Sequence, residues 1–162
     1  MQAFRAIQVL AACRGLIGRF KDSVSFNSNG SNPEYAIGNS YDCFVAIFQP
    51  NGNLLFSRSW GGAQDDRGKV IHFTDSGKVL VSSHLKGQVD IDPSGGISQQ
   101  TFSNAEVLME LNPFGGLNWF GEFEWQGGAI PSEIRVEEIQ TDSLANIYLT
   151  GSYTGMPDAD PG

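Results

Sequence analysis

Charged residues are scarce in this chain, and its hydrophobic runs are short. Only 17% of the 162 residues are charged, and the chain holds two cysteines and two histidines. No apolar run reaches the roughly 20 residues that cross a bilayer as a helix. Two cysteines are too few for a disulfide framework. Lys and Arg form no cluster, which argues against a phosphate-binding surface. We therefore predict neither a membrane span nor a nucleic-acid partner.

The charges that are present are mostly acidic. Ten Lys and Arg residues against 18 Asp and Glu residues give a net charge of −8 and a pI near 4.5. Phosphate backbones and anionic membranes are repelled by such a surface. Divalent cations and basic partners could instead be attracted to it.

A repeat of about 65 residues organises the chain. Three elements recur in order: 48–56 as 111–119, Trp60-Gly61-Gly62 as Trp125-Gln126-Gly127-Gly128, and 89–93 as 157–161. An eroded copy of the third element is present at 24–27. A fixed period of this size indicates a stacked or radial array of one supersecondary unit.

Each unit is expected to contain four short strands joined by tight turns. Gly, Asn, Ser and Asp separate β-rich apolar runs, and no segment is typical of a long helix. One complete unit predicts strands at 43–48, 54–60, 69–73 and 79–85, followed by a turn at Lys86-Gly87 and a short extension at 89–92. The next unit predicts strands at 107–111, 117–125, 134–139 and 147–153. An earlier unit contributes a third strand from about Arg5 and a fourth at 16–20.

These strands predict an all-β chain of tandem four-stranded antiparallel blades of the β-propeller type. The predicted units are a partial blade at 1–27, a blade at 28–92, and a blade with the start of the next extension at 93–162. About two and a half blades are fewer than the roughly four needed to close a ring. We therefore expect an incomplete, open array. Three alternatives follow: a piece of a longer protein, a unit that assembles with its own copies, or an open, curved arrangement. The start and stop within repeats favour the first of these.

The repeat resembles the bacterial SBBP (seven-bladed β-propeller) family. Residues 42–56 are similar to that family's Asp-Ala-Phe-Val-Ala-Lys-Leu strand and Pro-Asp-Gly turn. Residues 60–66 resemble its Gly-Gly-x-x-Asp-Asp loop, 146–153 its Asn-Val-Tyr-Val-Thr-Gly-x-Phe strand, and 89–93 the Asp-Phe-Asp-Pro extension of its long version. The sequence also departs from the family pattern. Residues 127–133 lack the paired aspartates, and Glu110 stands where an apolar residue or Lys is usual.

The resemblance implies a secreted or cell-surface bacterial protein whose propeller is a scaffold or an interaction surface. It implies no common catalytic residue, so the chain is predicted not to be an enzyme. Two alternatives remain: a carbohydrate- or calcium-binding repeat surface, and part of a propeller hydrolase whose catalytic residues lie outside this chain. Protein or carbohydrate partners fit these readings, and open strand edges predict self-association.

Paired aspartates are the candidate ligands for calcium, the one cofactor considered. Carboxylate oxygens suit Ca²⁺, and residues two apart on a strand point to the same side. The candidates are Asp65, Asp66, Asp90, Asp92, Asp158 and Asp160. Capping of turns and strand ends by the same oxygens is favoured over metal binding. Because the motif is repeated, it is a poor candidate for the single carboxylate pair of a glycosidase.

The remaining candidates have structural interpretations. Trp60 and Trp125 are expected to pack between blades rather than to form a sugar platform. His72 and His84 are expected to be surface or edge residues, since no catalytic or metal spacing accompanies them.

Two cysteines and the N-terminal run leave further alternatives open. Cys13 and Cys43 are expected to be incidental small residues, with one disulfide as the alternative. The run 9–13 fits a bacterial lipoprotein cleavage site, but its apolar segment is short. The alignment of 7–10 with 71–74 favours a strand of the repeat there.

Overall fold

The computed structural model describes residues 13–123 and 133–155, together with the backbone of 3–10. Its twelve strands confirm the predicted all-β class, and the described residues contain no helix. The strands are β1 Ala3–Leu10, β2 Cys13–Phe20, β3 Ser23–Val24, β4 Glu34–Tyr35, β5 Asp42–Phe48, β6 Leu54–Gly62, β7 Arg67–Phe73, β8 Val79–Asp90, β9 Gln99–Leu111, β10 Leu117–Phe123, β11 Glu133–Thr141 and β12 Ile147–Thr154.

These strands form two four-stranded antiparallel sheets and a further hairpin. The first sheet has the order β1-β2-β5-β6, and the second has the order β7-β8-β9-β10. β11 and β12 form a hairpin that is the third layer after the two sheets, and it is called the third hairpin below. β3 pairs with β4 beside the first sheet. Two residue pairs, Gly61↔Asp90 and Gly62↔Val89, link β6 of the first sheet to β8 of the second. The described strands do not close into a ring.

The boundaries of the observed sheets lie two strands, or half a unit, away from the boundaries of the blades predicted from the sequence. The sequence places β5, β6, β7 and β8 in one blade at 28–92. In the structure β5 pairs with β2, and β8 pairs with β9. Each complete sheet therefore combines the third and fourth strands of one sequence unit with the first and second strands of the next. The loop at 63–66 carries the chain to the next layer instead of turning it back beside β6.

β8 is longer than predicted. The expected turn at Lys86-Gly87 is wrong, because β8 continues through Gly87 to Asp90. Gly87 has a φ of 75° and lies where the ladder with β9 shifts register, which is a β-bulge. The extension at 89–90 is thus the end of β8, and β9 begins at Gln99 rather than at 107.

Bulges recur at equivalent positions in the repeated hairpins. The hairpins β1–β2, β7–β8 and β11–β12 shift register at Phe4/Ala6, Gly68/Val70 and Val136/Glu138. The hairpins β5–β6 and β9–β10 shift beside their turns, at Ile47/Phe48 and Leu117/Trp119. One backbone plan therefore recurs with the sequence period.

Four hairpin turns share one hydrogen-bond pattern, at 49–53, 74–78, 112–116 and 142–146. In each, the first residue donates its N–H to the carbonyl of the fifth, and the fourth donates to the carbonyl of the first. The fourth residue has positive φ, which glycine adopts readily. It is Gly52, Gly77 and Gly115 in three turns, but Ala145 at φ 63° in the last.

Hydrophobic packing stacks the three layers face to face. Val81 and Met109 of the second sheet belong to the same core as Trp60 of the first. Their neighbours Leu80 and Leu108 point to the opposite face and pack with the third hairpin. The second sheet is thus covered on both faces, which explains why 105–111 is buried throughout.

The shared turn geometry predicts opposite effects of two substitutions. Ala145→Gly removes a Cβ from a left-handed residue and is expected to stabilise the protein by about 1 kcal/mol. Gly77→Ala places a Cβ at φ 81° with ordinary space around it, and is expected to destabilise it by about the same amount. Urea unfolding of both variants measures the two changes. Equal signs for the two would contradict the shared geometry.

Candidate functional site

Asp65 and Asp66 stabilise the loop that leads from the first sheet to the second. Asp66 is fully buried, and its two oxygens accept hydrogen bonds from the backbone N–H groups of Gly62 and Lys86, both at 2.9 Å. Asp66 also donates its own N–H to the Tyr41 carbonyl at 2.7 Å. Asp65 Oδ1 accepts the Tyr41 N–H at 3.1 Å. Both aspartates therefore act as caps of the loop.

A third carboxylate beside this loop, Asp42, is absent from the residues selected in the sequence. It is 1% exposed, and its Oδ2 accepts the Ile37 N–H at 2.8 Å. Its Oδ1 has no hydrogen-bond partner among the described residues. A Cβ on residue 61 would lie 2.4 Å from Asp42 Cγ, so the glycine there makes room for the carboxylate. The available signal was the position of Asp42 at the start of the SBBP-like run.

Burial raises the pKa of both buried aspartates. The pKa of Asp42 rises to about 6, although the Ile37 N–H partly opposes the change. The pKa of Asp66 rises to about 7; backbone N–H groups of Lys86 and Gly62 lower it, and the charge of Asp42 raises it further. Because both groups bind protons more tightly in the folded protein, their ionisation opposes folding as pH rises from about 4 to 7.

The extension aspartates also bind backbone groups. Asp90 Oδ1 accepts the N–H groups of Asp92 at 3.2 Å and Ser98 at 2.9 Å. Asp92 Oδ1 accepts the N–H of Ser94 at 2.9 Å and its hydroxyl at 2.5 Å. In the eroded copy, Ser25 Oγ accepts the N–H two residues ahead in the same way, at 3.3 Å. Asp158 and Asp160 lie outside the described residues.

The described aspartates do not assemble into a metal centre. Within 13–123 and 133–155, no three His, Cys, Asp or Glu side chains are grouped to hold a metal ion. Each of Asp65, Asp66, Asp90 and Asp92 instead accepts at least one backbone N–H. These contacts agree with the capping interpretation, and calcium binding stays a prediction.

A buried ionic cluster was also missed in the sequence. The Lys69 ammonium lies 2.5 Å from Glu106 Oε2, and the Ser82 hydroxyl donates to Oε1. The Val136 N–H of the third hairpin also bonds to this carboxylate, and His84 Nδ1 lies 3.9 Å from it. A Glu within the apolar run of β9 was the signal for a buried ion pair.

The cluster is enclosed between the second sheet and the third hairpin. The side chain of Glu106 is 0% exposed and that of Lys69 is 7% exposed. Burial raises the pKa of Glu106, while the charge of Lys69 lowers it. Burial also lowers the pKa of His84. Because the charged groups face each other rather than solvent, the arrangement holds two layers together and offers a substrate little access.

Both histidines are more buried than predicted for surface residues, although His72 does lie on β7, an edge strand of the second sheet. His72 is 7% exposed, and its Nε2 lies 3.0 Å from Thr141 Oγ1 of the third hairpin. The side chain of His84 is 13% exposed, and its Nε2 lies 3.0 Å from Asn104 Oδ1. β8, which carries His84, is an inner strand of the second sheet, whereas β7, which carries His72, pairs with β8 alone among the described strands.

Trp60 packs between layers as predicted. It is 2% exposed, and its Nε1 donates to Ser83 Oγ of the second sheet at 3.2 Å. Trp125 lies outside the described residues. By ladder register, Phe123 opposes Glu106 as Trp60 opposes Cys43, so Phe123 holds the equivalent strand position.

Cys13 and Cys43 are both free thiols, so the disulfide considered as an alternative is not formed. Cys13 begins β2, whereas Cys43 opposes Arg19 near the other end of that strand. β1 and β2 pair as the third and fourth strands that the repeat predicts.

A mixed polar and apolar groove lies between the first sheet and the turn 112–116. It has a volume of about 520 Å³. Arg58 is fixed in it by donating to the carbonyls of Phe114 at 2.8 Å and Gly115 at 3.2 Å. Glu34 is fixed by accepting the hydroxyls of Ser57 at 2.7 Å and Ser59 at 2.9 Å. Phe114 is 80% exposed at the rim.

Comparisons with known proteins identify no family. No protein-family model matches the chain, and no curated protein matches it significantly. Across the described residues, no helix is long and apolar enough to cross a membrane. The SBBP resemblance therefore stays a prediction, and function is argued from the contacts above.

The pKa shifts predict the effect of Asp42→Asn. The variant is expected to be more stable than the wild type at pH 8, by on the order of 1 kcal/mol, because an ionised carboxylate is no longer buried. The difference should shrink as pH falls from about 7 to 4. Urea unfolding across this range measures it, with Asp75→Asn in an exposed turn as the control. A difference independent of pH would contradict burial of the charge.

The ionic cluster predicts an asymmetric response to substitution. Lys69→Met leaves the Glu106 charge buried without its partner and is expected to cost about 3–5 kcal/mol. The double variant Lys69→Met/Glu106→Gln should recover part of that loss. Lys78→Met is the matched control, because its ion pair with Glu110 is 43% exposed at the Lys and should cost about 1 kcal/mol or less. Urea unfolding measures all three; equal losses for the two Lys variants would refute the argument.

Proposed function

We propose that this chain is a non-catalytic repeat module whose sheets are blades of the β-propeller type. It acts as a scaffold or as an interaction surface for a protein or another ligand. The observation that carries the proposal is the recurrence of one backbone plan, with the same bulges, turns and face-to-face packing in successive layers. Repeated layers that contact only their neighbours are typical of proteins that present extended binding surfaces.

The environment of the acidic groups supports a non-catalytic role. Asp66, Asp90 and Asp92 bind backbone N–H groups and thereby shape loops. Glu106 is paired with Lys69 inside the stack. These carboxylates have structural partners, whereas a general acid or base needs access to the reacting group.

The cellular location rests on the SBBP resemblance alone. That resemblance supports an exported bacterial protein, in the extracellular space or on the cell surface. The proposal of a scaffold does not depend on it.

Carbohydrate binding is a second candidate, favoured by the groove beside β6. Its volume of about 520 Å³ falls within the ~300–1,000 Å³ of small-ligand sites. Arg58 and Glu34 are held in place by other groups and keep further hydrogen-bonding capacity for hydroxyls. The exposed ring of Phe114 could cover the apolar face of a sugar ring.

Tandem copies of the repeat test the propeller architecture. Chains carrying between about four and eight copies of residues 42–104 cover the usual blade numbers. We expect one copy number to give monodisperse rings in electron micrographs and the highest thermal stability, because closure joins the two end units into a complete sheet and covers the exposed faces of the end blades. Open filaments at every copy number would overturn the propeller proposal.

Ligand titration tests the binding surface. Phe114→Ala is expected to weaken binding of any oligosaccharide identified by calorimetric screening by about tenfold or more, because a stacking ring is lost. Leu144→Ala, at a side chain that is 81% exposed in a different turn, is the matched control. Absence of heat with every oligosaccharide would remove the second candidate. A parallel titration with Ca²⁺ that gives neither heat nor a Tm shift would remove the calcium alternative.

A further inference from the structure

The outer edge of β12 differs from the corresponding edges in the two complete sheets. β2 and β8 are the fourth strands of their sequence units, and each pairs on its far side with a first strand, β5 or β9. β12 is the third copy of this strand, and among the described residues it pairs with β11 alone. Among the described residues, β12 therefore has no partner at the position that β5 occupies beside β2 and β9 occupies beside β8.

Burial along the strand shows the same difference. The turns 74–78 and 142–146 correspond, so Val79, Val81 and Leu85 of β8 correspond to Ile147, Leu149 and Tyr153 of β12. The three β8 residues are 0–1% exposed. Ile147 and Leu149 are half-buried, and Tyr153 is 68% exposed. The apolar side chains of β12 thus lack the cover that their counterparts have.

The surface around β12 is suited to an apolar partner. β12 contains no charged residue and no proline, the features by which exposed edge strands usually avoid pairing. Beside it lies a recess of about 260 Å³, whose lining includes Phe123, Ile134, Leu149 and Tyr153. Arg135 is the charged residue of this lining, and its guanidinium is paired with Glu133 at 2.8 Å.

We propose that the β12 edge and this recess bind a β-hairpin of the same type as β5–β6 and β9–β10. Its first strand would pair antiparallel to β12, and its second strand would lie next to it, as β10 lies next to β9. The partner is thus a short hairpin whose first strand is rich in apolar residues, as 43–48 and 107–111 are. This inference rests on the proposed role as an interaction module and specifies the partner.

The second sheet fixes the register of the proposed pairing. Leu111 opposes Val79, and Ala105 opposes Leu85 in the β8–β9 ladder. A bound strand equivalent to 105–111 would therefore cover 147–153 of β12. Pairing of β12 with a second β12 about a two-fold axis is disfavoured, because the second sheets of both copies would lie on the same side of the joint sheet.

Hydrogen exchange with an added hairpin tests the proposal. The probe is a peptide of residues 104–123, which contains β10, the paired part of β9 and no cysteine. At saturating peptide, amide exchange at 147–154 is expected to slow at least tenfold, with little change in β2. The same peptide carrying Leu108→Pro, which cannot maintain the ladder, should give no protection.

The outcomes separate this inference from the proposed function. No protection of β12, or equal protection by both peptides, would overturn the pairing and leave the tandem-copy experiment unaffected. Protection of β12 that rises with protein concentration in the absence of peptide would assign the edge to a second copy, and would also overturn the hairpin proposal.

Discussion

The burial of the second sheet on both faces is the interaction on which the rest of the structure depends. Alternate residues of β8 and β9 point in opposite directions, so one run of sequence supplies two packing surfaces. Val81 and Met109 hold the first sheet, while Leu80 and Leu108 hold the third hairpin. The Glu106–Lys69 pair is enclosed by the second of these interfaces, and Trp60 by the first.

Local chemistry made the strands predictable, but not their partners. Alternating apolar residues and turns such as 50–53 mark where strands begin and end, and most of the predicted strands lie within those observed. The half-unit offset was not predictable in the same way, because β5 can pair equally well with strands before or after it by local pattern. The pair Lys86-Gly87 has the composition of a turn, although in the structure Gly87 lies at a bulge within a continuous strand.

Some residues of the candidate site could be predicted from the sequence, but the contacts that depend on distant parts of the chain could not. Asp65 and Asp66 are capping residues, as the glycine-flanked pattern suggested. Asp42 could not be found in this way, because its burial depends on Gly61, on a different strand. The Lys69–Glu106 pair joins residues far apart in sequence, and no short motif encodes such a contact.

The half-unit offset has a consequence for how the array yields to force or heat. Every complete layer contains strands from two consecutive sequence units. Detaching one unit therefore breaks hydrogen bonds in two layers at once. Neighbouring layers are therefore mechanically coupled through the polypeptide as well as through their packing. An array of this design should open over several layers together rather than shed its repeats one at a time.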